Sequence, residues 1–154
     1  MALKAKYVHT NIIALDWRRL ADFYEKVFGC VPVPPERRLK GEQLEAGTGV
    51  RGAELSGLHL RLPGHGENGP TLEIFSYNRT LEGVTPAVNR PGIAHIAYLV
   101  DDVPAAQREV LAAGGGAVGE VVTLEVGSRK VTFCYATDPE GNILELQSWS
   151  AQLG

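Results

Sequence analysis

HTNIIALD (residues 9–16) and HIAYLVDD (residues 95–102) decide the architecture, because the chain states one phrase twice. In each, a His opens a strand-like run and an Asp seven positions later starts an amphipathic helical stretch. A Gly stands thirteen positions beyond, ending the first stretch and following the second, which gives His9, Asp16 and Gly29 in one copy and His95, Asp102 and Gly115 in the other. Each half then closes on a second shared phrase, TLEIFSY (71–77) and ILELQSW (143–149). These align without a gap and place Glu73 and Glu145 at equivalent positions. Internal repeats fix an architecture before any other signal does. A duplicated module with one His and one Glu per copy points to a two-fold site with four side chains of metal-ligand type.

Length and charge bound this reading. With 154 residues the chain holds about one domain's worth of core, so two repeats are half-domains of a single domain over 1–154. Module one spans about 5–85 and module two about 90–150. No run approaches the ~18 apolar residues of a membrane span. The start, MALKAKYVHT, has no apolar signal core, which sets a cytoplasmic location as the expectation. A formal charge of −3 argues against a nucleic-acid footprint. Cys30 and Cys134 are too few for a disulfide framework.

Periodicity supplies the elements. Tyr7 to Leu15 alternates like a strand, and Asp16 is placed to cap the helix that follows. Leu20, Tyr24 and Val27, with Trp17 and Phe28, make the apolar stripe. Gly29 suits the left-handed position that ends it. In the second copy Asp102 caps, Pro104 sits in the first turn, and Val103, Ala106 and Val110 make the stripe ahead of Gly114–Gly116. Strands are expected at 53–62, 70–77, 117–125, 129–136 and 143–149, the last pair joined by the turn DPEGN. Each half therefore reads β-α-β-β-β. The stretch 31–52 carries Pro, Gly and charge throughout and reads as a mobile loop, with room for the one missing strand.

Alternation sets which way the candidates point, since side chains two apart share a strand face. His9 travels with Tyr7, Asn11 and Ile13; Glu73 travels with Phe75 and Tyr77; Glu145 travels with Gln147 and Trp149. Leu72, Ile74, Leu144 and Leu146 point the other way, where a helix would cover them. A carboxylate on the opposite face needs a partner. A divalent cation shared with imidazoles would supply one.

VHTNIIALDWRRLADFYEKVFG, PGIAHIAYLVDDV and VTFCYATDPEGNILEL resemble the vicinal oxygen chelate superfamily: glyoxalase I, methylmalonyl-CoA epimerase, extradiol dioxygenases, and the fosfomycin and bleomycin resistance proteins. The resemblance covers essentially the whole chain. It implies an α+β fold of two tandem βαβββ modules whose curved mixed sheets form a metal-centred cleft. The family's ligand positions land on His9, Glu73, His95 and Glu145, the full glyoxalase I-like set. The implied cofactor is one divalent transition metal, among Zn, Ni, Co, Mn and Fe. The implied assembly is a homodimer whose ligands come from one chain or two.

Such a site supports lyase or isomerase chemistry: vicinal oxygens of a small substrate are chelated and a proton is shuttled through an enediolate. Glu145 and Glu73 are the candidate catalytic carboxylates, Glu145 preferred as the base. Glyoxalase I places a glutathione-binding Arg four residues after its first ligand, where this chain has Ile13. That argues against a glutathione thiohemiacetal and leaves acyl-thioester epimerisation open. The alternatives are an Fe(II) extradiol dioxygenase using His9, His95 and Glu145, and a non-catalytic bleomycin-resistance-like binding protein.

Smaller expectations attach to other residues. His59 and Arg61 share a strand face and are candidates to hold an anionic substrate end; Phe75, Tyr77 and Trp149 are candidates for an apolar wall. GTGVRG (47–52) matches a dinucleotide-binding glycine pattern. Charge precedes it and a strand follows it, so no helix N-terminus is there to hold a pyrophosphate.

Overall fold

The computed structural model describes residues 1–150 and divides the chain into two compact units, Met1–Glu82 and Gly83–Gly154. The last four residues of the expected 1–154 domain lie outside the described part. The first unit runs β1 (His9–Ile13), α1 (Trp17–Phe28), β2 (Val31–Lys40), α2 (Glu42–Thr48), β3 (Glu54–Arg61) and β4 (Thr71–Tyr77). Its sheet has the order β1-β4-β3-β2, with β1 parallel to β4 and the other pairs antiparallel. The second unit runs β5 (Ile96–Leu99), α3 (Val103–Ala112), β6 (Gly116–Val126), β7 (Arg129–Thr137) and β8 (Ile143–Trp149). Its order is β5-β8-β7-β6, with the same sense of pairing. The fold is α+β with two βαβββ modules, as the repeated phrases require. Among the described residues, no helix is long and apolar enough to cross a membrane.

Helices α1 and α3 start where their aspartates predict. Asp16 accepts from the Arg19 N–H at 3.1 Å and Asp102 from the Ala105 N–H at 2.8 Å. Gly29 ends α1 at φ 66°. The buried face of α1 is wider than the expected stripe: Trp17, Leu20, Ala21, Phe23 and Tyr24 are buried, while Val27 and Phe28 are half-buried. This face packs on β3 and β4, where Leu58, Leu60, Leu72 and Ile74 are buried. Each such side chain contributes about 1.5–3 kcal/mol. Trp17 is tied down further, its N–H donating to Ser76 Oγ and its indole N–H to Ser56 Oγ. The sheet face bearing Ser56 and Ser76 is thus the helix face, and positions 59 and 73 lie on the opposite one.

One expectation needs correction. The 31–52 stretch is not a loop but the edge strand β2 followed by α2. Pro32, Pro34 and Pro35 are tolerated because β2 ends the sheet, and the register shift between Val33 and Arg37 passes over the Pro34–Pro35 pair. Arg18 clamps β2 to α1, its guanidinium donating to both Glu36 oxygens at 2.8 and 3.0 Å. In the second unit the helix ends at Ala112 and Gly114–Gly116 follow it, as the sequence predicts. Gly115 also allows a close approach: a Cβ there would lie 2.3 Å from the Thr137 carbonyl oxygen.

The DPEGN turn is held by a buried aspartate. Asp138 Oδ1 accepts from the N–H groups of Glu140 and Asn142, and Oδ2 accepts from the Asn142 amide. Gly141 takes φ 89°, and β8 leaves in register with Thr137 opposite Ile143. The glycine-rich GTGVRG segment runs from the end of α2 into β3, the reverse of the order a nucleotide loop needs.

Candidate metal centre

The site of the first unit follows from two registers. In the parallel β1–β4 pair, Asn11 lies opposite Glu73, so His9 stands two positions back on the same face. In the antiparallel β3–β4 pair, His59 lies directly opposite Glu73. Three side chains on the face away from α1 therefore converge. His59 Nε2 is 2.6 Å from Glu73 Oε2, and His9 Nε2 is 3.6 Å from Glu73 Oε1. The two imidazoles meet edge to face with centroids 5.4 Å apart.

Burial makes this cluster demanding. The Glu73 side chain keeps 13% of its exposure and that of His59 16%. A carboxylate so enclosed is held only with partners. The His59 imidazole is pushed below its usual pKa, first by loss of water and against the pull of the Glu73 carboxylate. A neutral ring is what metal coordination requires. Ligand atoms of His9, His59 and Glu73 all lie within 4.8 Å of one another. Two imidazole nitrogens and a carboxylate oxygen at that spacing fit a divalent transition metal. Behind the ring, His59 Nδ1 lies 2.8 Å from Thr71 Oγ1.

The second unit repeats the contact with one change. Ala97 of β5 lies opposite Glu145, and His95 stands two positions back, just ahead of the strand. His95 Nε2 is 2.9 Å from Glu145 Oε2, with side-chain exposures of 29% and 17%. The residue opposite Glu145 on β7 is Tyr135, where the first unit has His59. Its ring lies 5.2 Å from that of His95. Phe133 meets Tyr135 edge to face at 5.7 Å, extending an aromatic run along the strand.

The other candidates are placed as follows. Phe75 lies on the site face, edge to face with His59 at 6.2 Å. Its ring passes over Gly57, where a Cβ would stand 2.5 Å from Phe75 Cδ1 and 1.9 Å from the Ile74 carbonyl oxygen. Tyr77 is half-buried two positions on, opposite Leu55. Arg61 lines a cleft of about 260 Å³ with Gly29, Leu62, Pro63 and Glu67. Trp149 donates its indole N–H to Gln147 at 2.5 Å, and the Arg129 guanidinium lies 4.9 Å over its ring.

His59 is thus brought to Glu73 rather than standing apart from it, and Tyr135 is a site-face residue the sequence reading passed over. A signal for both existed. Pairing strand ends 62 and 70 across the loop PGHGENG puts position 59 opposite 73, and pairing 137 with 143 across DPEGN puts 135 opposite 145.

A family model described as the Glyoxalase/Bleomycin resistance protein/Dioxygenase superfamily matches residues 6–146. No curated protein matches the sequence. Among solved structures, a glyoxalase family protein from Bacillus cereus is similar at 19% identity and TM-score 0.74, covering 98% of this chain and 97% of its own. A glyoxalase/bleomycin resistance protein/dioxygenase family enzyme from Burkholderia phytofirmans PsJN is similar at 13% identity and TM-score 0.55, covering 94% and 98%. A domain of the same description from Frankia sp. EAN1pec is similar at 14% identity and TM-score 0.54, covering 97% and 94%. At these identities the likeness is one of fold.

Proposed function

Because the chain belongs to the Glyoxalase/Bleomycin resistance protein/Dioxygenase superfamily, we propose that it is a divalent-metal-dependent lyase or isomerase of the glyoxalase I type. The observation that carries this is the repeated contact of an imidazole with a half-buried carboxylate, His9 and His59 on Glu73 and His95 on Glu145. In this reading His9, Glu73, His95 and Glu145 are ligands, and His59 Nε2 is a further donor beside His9 and Glu73. A bound divalent cation would supply Lewis-acid stabilisation of an enediolate on a substrate with adjacent oxygens.

The chain's own residues carry the proton. Glu145 takes it from a carbon beside a carbonyl and returns it to the neighbouring carbon or oxygen. The arrangement of partners supports Glu145 over Glu73: among the described contacts one imidazole meets Glu145 and two meet Glu73. Phe75 stands beside His59, and Tyr135 beside His95, on the strand faces that bear the carboxylates. Arg61 is proposed to hold an anionic substrate end and Trp149 to offer an apolar wall, with an acyl thioester among the candidate substrates.

Metal content per chain is the test, measured by elemental analysis of protein purified without chelator. Bound metal that is lost in Glu73→Ala and Glu145→Ala supports the reading. Deuterium exchange into α-hydroxy carbonyl and acyl-thioester compounds then locates the reaction. Full metal content with retained exchange in Glu145→Gln would remove Glu145 as base.

The His9–His59–Glu73 set favours one second reading. Two imidazoles and one carboxylate are also the donor set of Fe(II) oxygenases. Iron as the bound species, retained in Glu145→Ala but lost in His59→Ala, would select it.

A further inference from the structure

We propose that Thr71 is a positioning residue for the His9–His59–Glu73 set, its hydroxyl holding the His59 ring through a change of tautomer. The inference rests on the metal-binding reading above.

His59 Nε2 lies 2.6 Å from a Glu73 oxygen. An ionised carboxylate only accepts, so Nε2 carries the hydrogen in this geometry. A neutral ring then keeps its lone pair on Nδ1, where the Thr71 hydroxyl, 2.8 Å away, is placed to donate. Coordination through Nε2 needs the lone pair there instead. The hydrogen then stands on Nδ1 and Thr71 Oγ1 becomes the acceptor. One proton leaves Nε2 and one arrives at Nδ1, exchanged with solvent, so the ring stays neutral throughout. A hydroxyl donates in the first state and accepts in the second, which a methyl group cannot do.

Thr71 is well fixed for this task. It begins β4 two positions before Glu73, lies in register beside His9, and its backbone N–H donates to the Val8 carbonyl at 3.0 Å. The second unit gives an independent comparison. The positions matching His59 and Thr71 by register are Tyr135 and Ile143. Imidazole and hydroxyl occur together in one copy and are both replaced in the other, as a pair with a shared role would be.

The test uses the full chain labelled with 15N-histidine, stripped by chelator and then titrated with Zn2+. NMR reads the tautomer of each ring, and competition with a chromophoric chelator reads Zn2+ affinity. The expected result is hydrogen on His59 Nε2 before Zn2+ and on Nδ1 after it. Thr71→Val should weaken Zn2+ binding by about 10–100-fold, the usual effect of losing such a supporting contact. Thr71→Ser should restore binding, and Thr71→Val should add no loss to His59→Ala. Wild-type affinity in Thr71→Val, or a loss that persists in His59→Ala, would overturn the proposal. If the wild-type chain takes no Zn2+, the metal-binding reading falls, and the stripped-state spectrum judges Thr71 alone. An unchanged His59 tautomer in Thr71→Val then overturns its role; a mixture of tautomers supports it.

Discussion

At the residue scale, His59 shows how burial and charge divide the work. The ring sits opposite a carboxylate, yet loss of water outweighs that attraction and lowers its pKa. Folding therefore resists protonation of this group. Its contribution is fully present above the unfolded imidazole value of about 6.5 and is lost as pH falls from there through the lowered folded value. Thermal melts of metal-stripped protein should show a smaller decline between neutral and mildly acidic pH in His59→Gln than in the wild type. An identical decline would mean that other groups set the acid limit. Cys134 makes a simpler case. Burial raises its thiol pKa, so a neutral-pH alkylating reagent should leave it unmodified until the chain unfolds. Rapid labelling of the native chain at Cys134 would contradict its burial.

At the scale of elements, local chemistry was legible and long-range register was not. Asp16, Gly29, Asp102 and Pro104 announce both long helices because caps act within one turn. Val31–Lys40 was illegible for the opposite reason. Its prolines and charges look like a loop, and only the ladder with β3 makes it a strand. His59 was legible in position but not in partner, since its meeting with Glu73 depends on how the intervening loop turns. Gly57 tests the same hairpin. A methyl there collides with the Ile74 carbonyl oxygen and the Phe75 ring. Gly57→Ala should therefore cost about 1–3 kcal/mol in denaturant unfolding and disturb the His59–Glu73 contact. A stability equal to wild type would show that β3 can slide without harm.

For the whole molecule, a resident metal predicts a coupled gain in stability. Zinc at a free concentration 100 times its Kd should stabilise the chain by about 2.7 kcal/mol. For this chain length that is roughly a 5–10 °C rise in Tm. His9→Ala should lose the rise while keeping the metal-free Tm, and a wild-type chain whose Tm ignores zinc would count against the site. The duplicated His and Glu were readable because repetition is visible without any knowledge of the fold. The exchange of His59 for Tyr135 between copies became meaningful only once both lay opposite a glutamate.

The edge strand β2 has a consequence for life in a crowded cell. Three prolines among its first five residues remove the N–H groups that a foreign strand would need to zip onto. The first unit's β2 edge is therefore a poor template for polymerisation, even while the chain is newly made and concentrated. Replacing Pro32 and Pro34 would leave the interior untouched and turn a protected margin into a place where fibres can start.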